Sequence, residues 1–247
     1  MRLSRAWIIA SKELSIFRKK KSIFYSVIIF PLFVSIGLPL LIYTLSGGSA
    51  GTPDVRSGLP SVINAFAFFF ILGAATLPTA IASYTIVGEK LEQSLEPLLA
   101  TPTTDSEILL GKSIGALLPP LAAIWIGGVI FMGLIDAITF RLLGYLYYPN
   151  AVMAVIMLLL VPLAAVTAVE VSVIVSARVN DIRTAQQLGS LIVIPFALIY
   201  VLGETGAFPL TVLYLLIVSA ILLVIDAALF RLATATFNRE EILTRWR

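Results

Sequence analysis

The residues best suited to chemistry in this sequence are acidic. Three glutamates, Glu89, Glu92 and Glu96, recur at intervals of three and four residues, which places them on one face of a helix. Two further acids, Glu170 and Asp226, stand inside long apolar stretches, where an acid is a candidate for function by default. With 0 histidines and 0 cysteines, the chain has no thiol nucleophile, thiolate metal site or Ser-His-Asp triad.

The composition shows that most of the chain lies in a membrane. Hydrophobic residues make up 59% of the 247 residues and charged residues 13%, against roughly 25% charged in soluble domains. A helix needs about 20 mainly apolar residues to cross a bilayer. We therefore predict an all-α polytopic membrane protein, one transmembrane domain over residues 1–247, with six spans near 22–45, 62–87, 113–135, 151–176, 188–202 and 210–232, of which the fifth is short.

The distribution of basic residues predicts the orientation. Of the 17 lysines and arginines, all but Arg56 and Arg141 lie on one side of the predicted spans. Cytoplasmic loops carry the excess of basic residues, so both termini are expected in the cytoplasm. We expect the first span to be retained, because it is longer than a signal-peptide core and no clear cleavage site follows it. The predicted location is the cell membrane.

The first 21 residues have the pattern of a basic amphipathic helix. Apolar residues at a 4-3-4-3 spacing share one face: Leu3, Trp7, Ala10, Leu14 and Phe17. Such a helix is expected to lie in the membrane interface. A plain anchor that follows the positive-inside rule is the alternative, and the two interpretations are compatible.

The loop of residues 88–112, between spans two and three, is predicted to hold a helix, a break and a second helix. Pro97 and Pro102 interrupt the first helix. Thr104 and Glu107 have the spacing of a capping box that begins the second. The loop carries five acids against two lysines, which runs against the basic bias of cytoplasmic loops and indicates a partner. A solvated hairpin is the alternative.

This loop resembles the one found in ABC-2 type permeases, the membrane subunits of ABC exporters. Their pattern is roughly E-(R/K)-x-x-G-T-L-E-x-L-L-x-(S/T)-P, followed by a polar stretch and a Gly-Lys entering span three. The sequence matches it at Glu89-Lys90, Leu95-Glu96, Leu98-Leu99, Thr101-Pro102 and Gly111-Lys112. Gln93-Ser94 stands where the family has Gly-Thr, and the spacing is kept. The layout of an interfacial helix, six spans and a short tail is also similar.

The resemblance implies a non-catalytic permease that dimerises, as a homodimer or heterodimer, and pairs with two copies of a separate ABC ATPase. That partner would use ATP and Mg²⁺, and this chain would bind no cofactor, metal or nucleic acid. The coupling residues it implies are Glu89, Glu92, Leu95, Glu96 and Leu99. The run Gly111-Lys112-Ser113 is not a P-loop, because Ser106 stands where that motif needs a glycine.

The acids within the spans have two interpretations. Glu170 lies about two turns from the end of span four, and Asp226 precedes Arg231 by five residues. Each could reach the membrane surface or a nearby cation, or could line a pathway or a dimer contact. By the resemblance, residues 203–209 form a re-entrant segment with Glu204 near the outer mouth. A tight outer turn is the alternative.

Two other functions compete with the exporter. A secondary carrier working without an ATPase would need relay groups in several spans and inverted repeats, whereas the sequence shows two scattered acids. A metal-dependent intramembrane enzyme would need clustered acids at one membrane face, which the three loop glutamates imitate without the Asp-rich spacing of such sites. The apolar spans favour a hydrophobic or amphipathic cargo, such as a lipid or a drug.

Overall fold

The computed structural model describes residues 3–45, 53–89, 103–205 and 211–236, and these ranges contain helices and no strands. In this part of the chain the α-helices are α1 (Leu3–Lys19), α2 (Lys21–Leu45), α3 (Pro53–Ala67), α4 (Phe69–Ser83), α5 (Asp105–Leu143), α6 (Ala151–Val155), α7 (Val161–Arg178), α8 (Ile182–Ser190), α9 (Val193–Glu204) and α10 (Val212–Thr236). Two π-helical turns adjoin them: Tyr84–Gly88 follows α4, and Ile156–Leu160 precedes α7. The all-α prediction is confirmed.

Within the described ranges, six helical stretches are long and apolar enough to cross a membrane, as predicted. They cover Ile23–Thr44, Gly58–Ser83, Asp105–Phe140, Ala151–Arg178, Ile182–Glu204 and Val212–Thr234. Span five has 23 residues, longer than the stretch expected from residues 188–202. Its first half is α8, which a hydropathy count overlooks because this helix is polar and amphipathic. Asp181 begins α8 by accepting a hydrogen bond from the Thr184 amide.

The longest helix, α5, can extend past the bilayer. Its 39 residues measure about 58 Å at 1.5 Å per residue, against a hydrocarbon core of about 30 Å. The predicted capping box begins it: the Thr104 side chain accepts from the Glu107 amide, and the Glu107 carboxylate accepts from the Thr104 amide. Gly144 ends it at φ 80°, a left-handed conformation that glycine adopts without strain.

The centre of the bundle is the contact between α4 and α7. Small residues on both helices are fully buried there, among them Ala74, Ala75, Ala164, Ala165 and Ala168. In lipid, helices associate through van der Waals packing, and small residues improve it by letting the backbones approach. Larger side chains fill the surrounding space, where the Phe70 and Phe131 rings meet edge to face with centroids 5.4 Å apart.

Helix α1 lies along the first part of α5 on a seam of two glycines. A Cβ added at Gly111 would come within 2.6 Å of the Ala6 carbonyl oxygen, and one added at Gly115 within 2.5 Å of Glu13 Cβ. Both distances are too short for a side chain, so the two glycines set how closely α1 approaches. We refer to the end of the bundle that carries this seam as the α1 end.

The N-terminal helix predicted from the sequence is present as α1, but its packed face differs from the predicted stripe. The buried residues are Ala6, Ile9, Ala10, Glu13 and Phe17. Of the remaining stripe residues, Trp7 is 55% exposed and Leu14 is half-buried. The packed face contains a glutamate and two alanines, so a search for large apolar residues misses it. The role of Leu3, Trp7, Leu14 and Phe17 in a membrane interface stays a prediction.

Candidate coupling site

Lys112 is the centre of a buried ionic cluster at the α1 end. Its side chain is 1% exposed. Its ammonium group donates to Glu89 Oε2 at 2.5 Å, to the Thr85 carbonyl at 2.8 Å and to Glu13 Oε1 at 3.1 Å. Three donors are all that an ammonium group has, so this buried charge is fully satisfied.

A second lysine completes the cluster. Lys12 Nζ donates to Glu89 Oε1 at 2.8 Å, and its side chain is half-exposed. We call Lys12, Glu13, Glu89 and Lys112 the ionic cluster. Two positive and two negative charges balance within it, which makes burial tolerable, because a buried charge is costly unless it is paired and hydrogen-bonded.

The ionic cluster joins three elements of the fold. Lys12 and Glu13 belong to α1, Glu89 follows the π-helical turn after α4, and Lys112 lies near the start of α5. The glycine seam brings α1 and α5 together, because Gly111 and Gly115 lie beside Lys112 on α5 and admit α1 closely. The cluster therefore ties α1 to Glu89 and to α5. In the sequence, these two flank residues 90–102 of the predicted coupling loop, which we call segment 90–102.

Two further contacts join the same elements. Lys20 Nζ lies 3.3 Å from the centroid of the Tyr84 ring, a cation–π contact at the first residue of the π-helical turn. Arg5 Nη1 lies 3.9 Å from Glu107 Oε2, the carboxylate of the capping box. This second pair is long and partly exposed, so it adds little stability. The first contact places another cation of the α1 end directly on the turn that leads to Glu89.

Burial dominates the electrostatics of Glu13. Loss of hydration raises the pKa of its carboxyl group, Lys112 opposes that rise, and the nearby Glu89 carboxylate adds to it. In the described part of the chain, Lys112 is the cation that hydrogen-bonds Glu13. Glu13 is thus the member of the ionic cluster whose charge is least well compensated.

Of the coupling residues that the resemblance implies, the structure describes one and leaves four outside the described ranges. Glu92, Leu95, Glu96 and Leu99 lie outside them, whereas Glu89 lies inside. Glu89 is 4% exposed, and lysines bind both oxygens of its carboxylate. Its contact with an ATPase stays a prediction. The structure gives it a different role, which is to hold the end of the π-helical turn after α4 against α1 and α5.

Three members of the ionic cluster, Lys12, Glu13 and Lys112, were missed by sequence reasoning. A signal was available, because the Gly-Lys at 111–112 is followed by Gly115, and glycines four residues apart allow a second helix to approach closely. The structure also agrees that Gly111-Lys112-Ser113 is not a P-loop. Lys112 lies within a helix and its ammonium group is bound by carboxylates.

The family comparison covers this site. A family described as ABC-2 family transporter protein matches residues 7–211. The chain belongs to the ABC-2 family. The matched region of this ABC-2 protein begins in α1, includes every member of the ionic cluster and ends just before α10. No curated protein sequence matches the chain.

In this ABC-2 protein, the two acids within the predicted membrane spans have different surroundings from the acids of the ionic cluster. Glu170 on α7 and Asp226 on α10 are both buried. Thr167 Oγ1 donates to Asp226 Oδ1 at 2.5 Å. Among the described residues, neither acid forms an ion pair. The interpretation in which each acid finds a cation of its own chain therefore has no support in the described contacts.

The remaining predicted site residue, Glu204, is exposed at the last position of α9. Residues 206–209 of the predicted re-entrant segment lie outside the described residues, so that segment stays a prediction. The described ranges contain no group of three or more acids, histidines or cysteines that could hold a metal ion.

Proposed function

We propose that this chain is the membrane-spanning, non-catalytic permease subunit of an ATP-driven ABC exporter. It would form the translocation pathway and leave ATP hydrolysis to a separate ABC ATPase, which would bind ATP and Mg²⁺. That ATPase would dock on segment 90–102. Membership of the ABC-2 family supports the permease role.

The ionic cluster is the observation that carries the proposal. A closure of the partner can move a permease only if the docking segment is tied rigidly to its helices. Immediately before segment 90–102, Glu89 is bound by Lys12 of α1 and Lys112 of α5. Soon after it, the Thr104–Glu107 capping box begins α5. A force on the segment would therefore reach α1, α4 and α5 together.

Orientation and assembly follow from the same proposal. The α1 end, with both chain termini, would face the cytoplasm, where ATP is available and where the positive-inside rule places the basic residues. The complex would hold two permeases, identical or related, and two ATPase copies in the cell membrane. Export, rather than uptake, is proposed from the resemblance to ABC exporters.

A secondary carrier working without an ATPase is the second candidate, and the intramembrane acids favour it. Thr167, three residues before Glu170 on α7, donates to Asp226 Oδ1, so these acids are less scattered than the sequence suggested. A carrier would have no evident need for an ionic cluster whose Glu89 directly precedes an acidic segment in the sequence. The exporter explains that cluster, and we therefore prefer it.

Co-purification tests the exporter proposal. The tagged chain would be isolated from its native host in mild detergent, and its partners identified by mass spectrometry and by ATP hydrolysis. We expect an ABC ATPase with the parent chain and its loss from a Glu92→Lys, Glu96→Lys double variant, because two charges of the docking face are inverted. Glu89 is left unchanged because it belongs to the ionic cluster. Glu204→Lys, at the other end of the bundle, is the matched control and should retain the ATPase.

The other outcomes separate the candidates. Recovery of the ATPase with the double variant as well would keep the permease and move the docking site elsewhere. Absence of an ATPase from the parent preparation, together with solute transport by the chain alone in liposomes, would overturn the exporter and support the carrier.

A further inference from the structure

The feature that the proposed function leaves unexplained is a buried pair of acids without a counter-charge. Glu170 is 5% exposed and Asp226 is 6% exposed. Thr167, one turn before Glu170 on α7, donates to Asp226 Oδ1. Within the described part of the chain, Glu170 Oε2 and Asp226 Oδ2 have no hydrogen-bond partner. Among the described residues, no lysine or arginine pairs with either acid.

Such a pair is costly for the fold. A buried acceptor oxygen loses its hydration, and without a partner nothing replaces it. Two carboxylates near one another also repel when both are ionised. The basic residues nearest in sequence, Arg178 and Arg231, form no ion pair with them within the described ranges. A cation supplied from outside the chain would remove both costs.

A cavity beside Glu170 indicates what kind of cation fits. It has a volume of ≈ 120 Å³ and lies between α5, α7 and α10, with Leu117, Val169 and Phe230 among its apolar walls. Ser113 is the other polar side chain that lines it. Hard metal ions take about six or more oxygen ligands, which this lining does not offer. An apolar cavity of about 150 Å³ holds a benzene molecule, so a small aryl or alkyl group has a suitable size.

We infer that Glu170 and Asp226 bind the ammonium group of a small organic cation, with its apolar part in the cavity beside Glu170. The ammonium group would donate to Glu170 Oε2 and Asp226 Oδ2, the two oxygens that lack partners. Apolar walls with a few placed polar groups are the usual composition of a small-molecule site. If amphipathic amines are also the transported cargo, that part of the inference rests on the proposed transport function. The existence of the binding site does not depend on transport.

A second cavity lies beside Thr167. It has a volume of ≈ 350 Å³ and is lined by Thr167 together with apolar residues of α9 and α10, including Phe196, Tyr214 and Ile221. Thr167 is also the residue that holds Asp226. Glu170 thus lines one cavity, and Thr167, which donates to Asp226, lines the other.

Direct binding to the purified full chain tests the inference. The probe is tritiated 2-phenylethylamine, which is protonated at neutral pH, measured by scintillation proximity in detergent. We expect saturable binding that unlabelled 2-phenylethylamine displaces and that uncharged 3-phenyl-1-propanol does not. Glu170→Gln and Asp226→Asn should each weaken binding by about tenfold or more, the loss expected for a hydrogen bond between charged groups. Asp181→Asn changes an exposed carboxylate, keeps a residue that can cap α8 and should bind like the parent.

The controls keep the inference separable from a folding defect and from the proposed function. Each variant must elute as the parent does in size-exclusion chromatography and retain a cooperative thermal transition. Lack of saturable binding to the folded parent would overturn the site, as would unchanged binding to Glu170→Gln or equal displacement by the alcohol. None of these results depends on recovery of an ATPase. Absence of an ATPase together with transport by the chain alone would overturn the exporter and leave the binding site standing.

Discussion

Two pairs of buried acids in this chain have opposite surroundings. Glu13 and Glu89 share the ammonium group of Lys112 at the α1 end. Glu170 and Asp226 have one threonine hydroxyl between them, donated to Asp226. All four acids are 4% to 6% exposed, so burial does not distinguish the pairs. The counter-charge does, because the chain supplies it to the first pair and, among the described residues, not to the second.

Position in the bundle accounts for this difference. Near the end of a bundle, a lysine such as Lys12 can pair with a buried carboxylate while its own side chain stays half-exposed. Deeper in a span, a fixed lysine would itself be costly. It would also occupy the carboxylates permanently. A pair that holds the fold together needs built-in cations, whereas a pair that binds and releases a ligand must do without them.

Removal of the central cation should have the largest effect on stability. Lys112→Met would leave Glu13 and Glu89 buried without the ammonium group that binds them both. We expect the free energy of unfolding to fall by about 3–5 kcal/mol, the cost of breaking a buried ion pair on one side. Thermal unfolding in detergent, followed by tryptophan fluorescence, measures the change. Lys12→Met is the matched control and should cost less, because Lys12 is half-exposed. Equal losses would mean that Lys112 is not the centre of the cluster.

Separation of α1 from α5 should have the next largest effect. In the Gly115→Leu variant, the new Cβ at position 115 would lie 2.5 Å from Glu13 Cβ, which is too close. The displacement of α1 should cost about 1–3 kcal/mol, as overpacking does, and should weaken the contact between Glu13 and Lys112. Gly133→Ala is the control, because a Cβ there has nothing within 4 Å, and alanine favours the helix. If Gly133→Ala were destabilised and Gly115→Leu were unaffected, the glycine seam would not be what sets the approach of α1 to α5.

Neutralisation of one acid in each pair should give changes of opposite sign. Glu89→Gln leaves Lys12 and Lys112 without their shared carboxylate and should lower the free energy of unfolding by about 1–3 kcal/mol. Glu170→Gln removes a charge that lacks a counter-ion, so in ligand-free protein it should raise stability by up to a similar amount, about 1–3 kcal/mol. Both are measured by thermal unfolding. If both substitutions destabilised the protein, the comparison between the two pairs would fail.

Much of the architecture was predictable from the sequence. The six spans were readable because apolar length is a strong signal, and the capping box was readable because Thr104 and Glu107 lie three residues apart. Span five was underestimated because α8 is polar. The packed face of α1 was misjudged because alanine, glycine and a glutamate, rather than large apolar residues, make that contact.

The partnerships of the charges were not predictable. Glu13 and Lys112 are 99 residues apart in sequence, and Lys12 and Glu89 are 77 apart. No local spacing rule connects such pairs, since they depend on how α1 lies against α5. For the same reason, Glu170 and Asp226 looked scattered although Thr167 links their helices at one place. Periodicity within a helix predicts a face, but only tertiary packing determines which charges meet there.

Stability should also depend on pH through Glu13, with a smaller effect. Burial raises the pKa of this carboxyl group from the model-compound value of 4.5. Because the folded state then holds the proton more tightly than the unfolded state, the contribution of Glu13 is most favourable below the unfolded pKa. It is lost as the pH rises through the folded pKa. Glu13→Gln cannot titrate, so the parent should lose stability relative to this variant as the pH increases from below 4.5.

The measurement compares the melting temperatures of the parent and the Glu13→Gln variant as the pH increases from below 4.5. A single titrating group changes the free energy of unfolding by at most about 1.4 kcal/mol per pH unit, so only the difference between parent and variant isolates Glu13 from the other acids. A difference that stays constant with pH would mean that Lys112 compensates the Glu13 charge completely. The ionic cluster would then be more evenly balanced than its geometry indicates, and the contrast with the intramembrane pair would be sharper still.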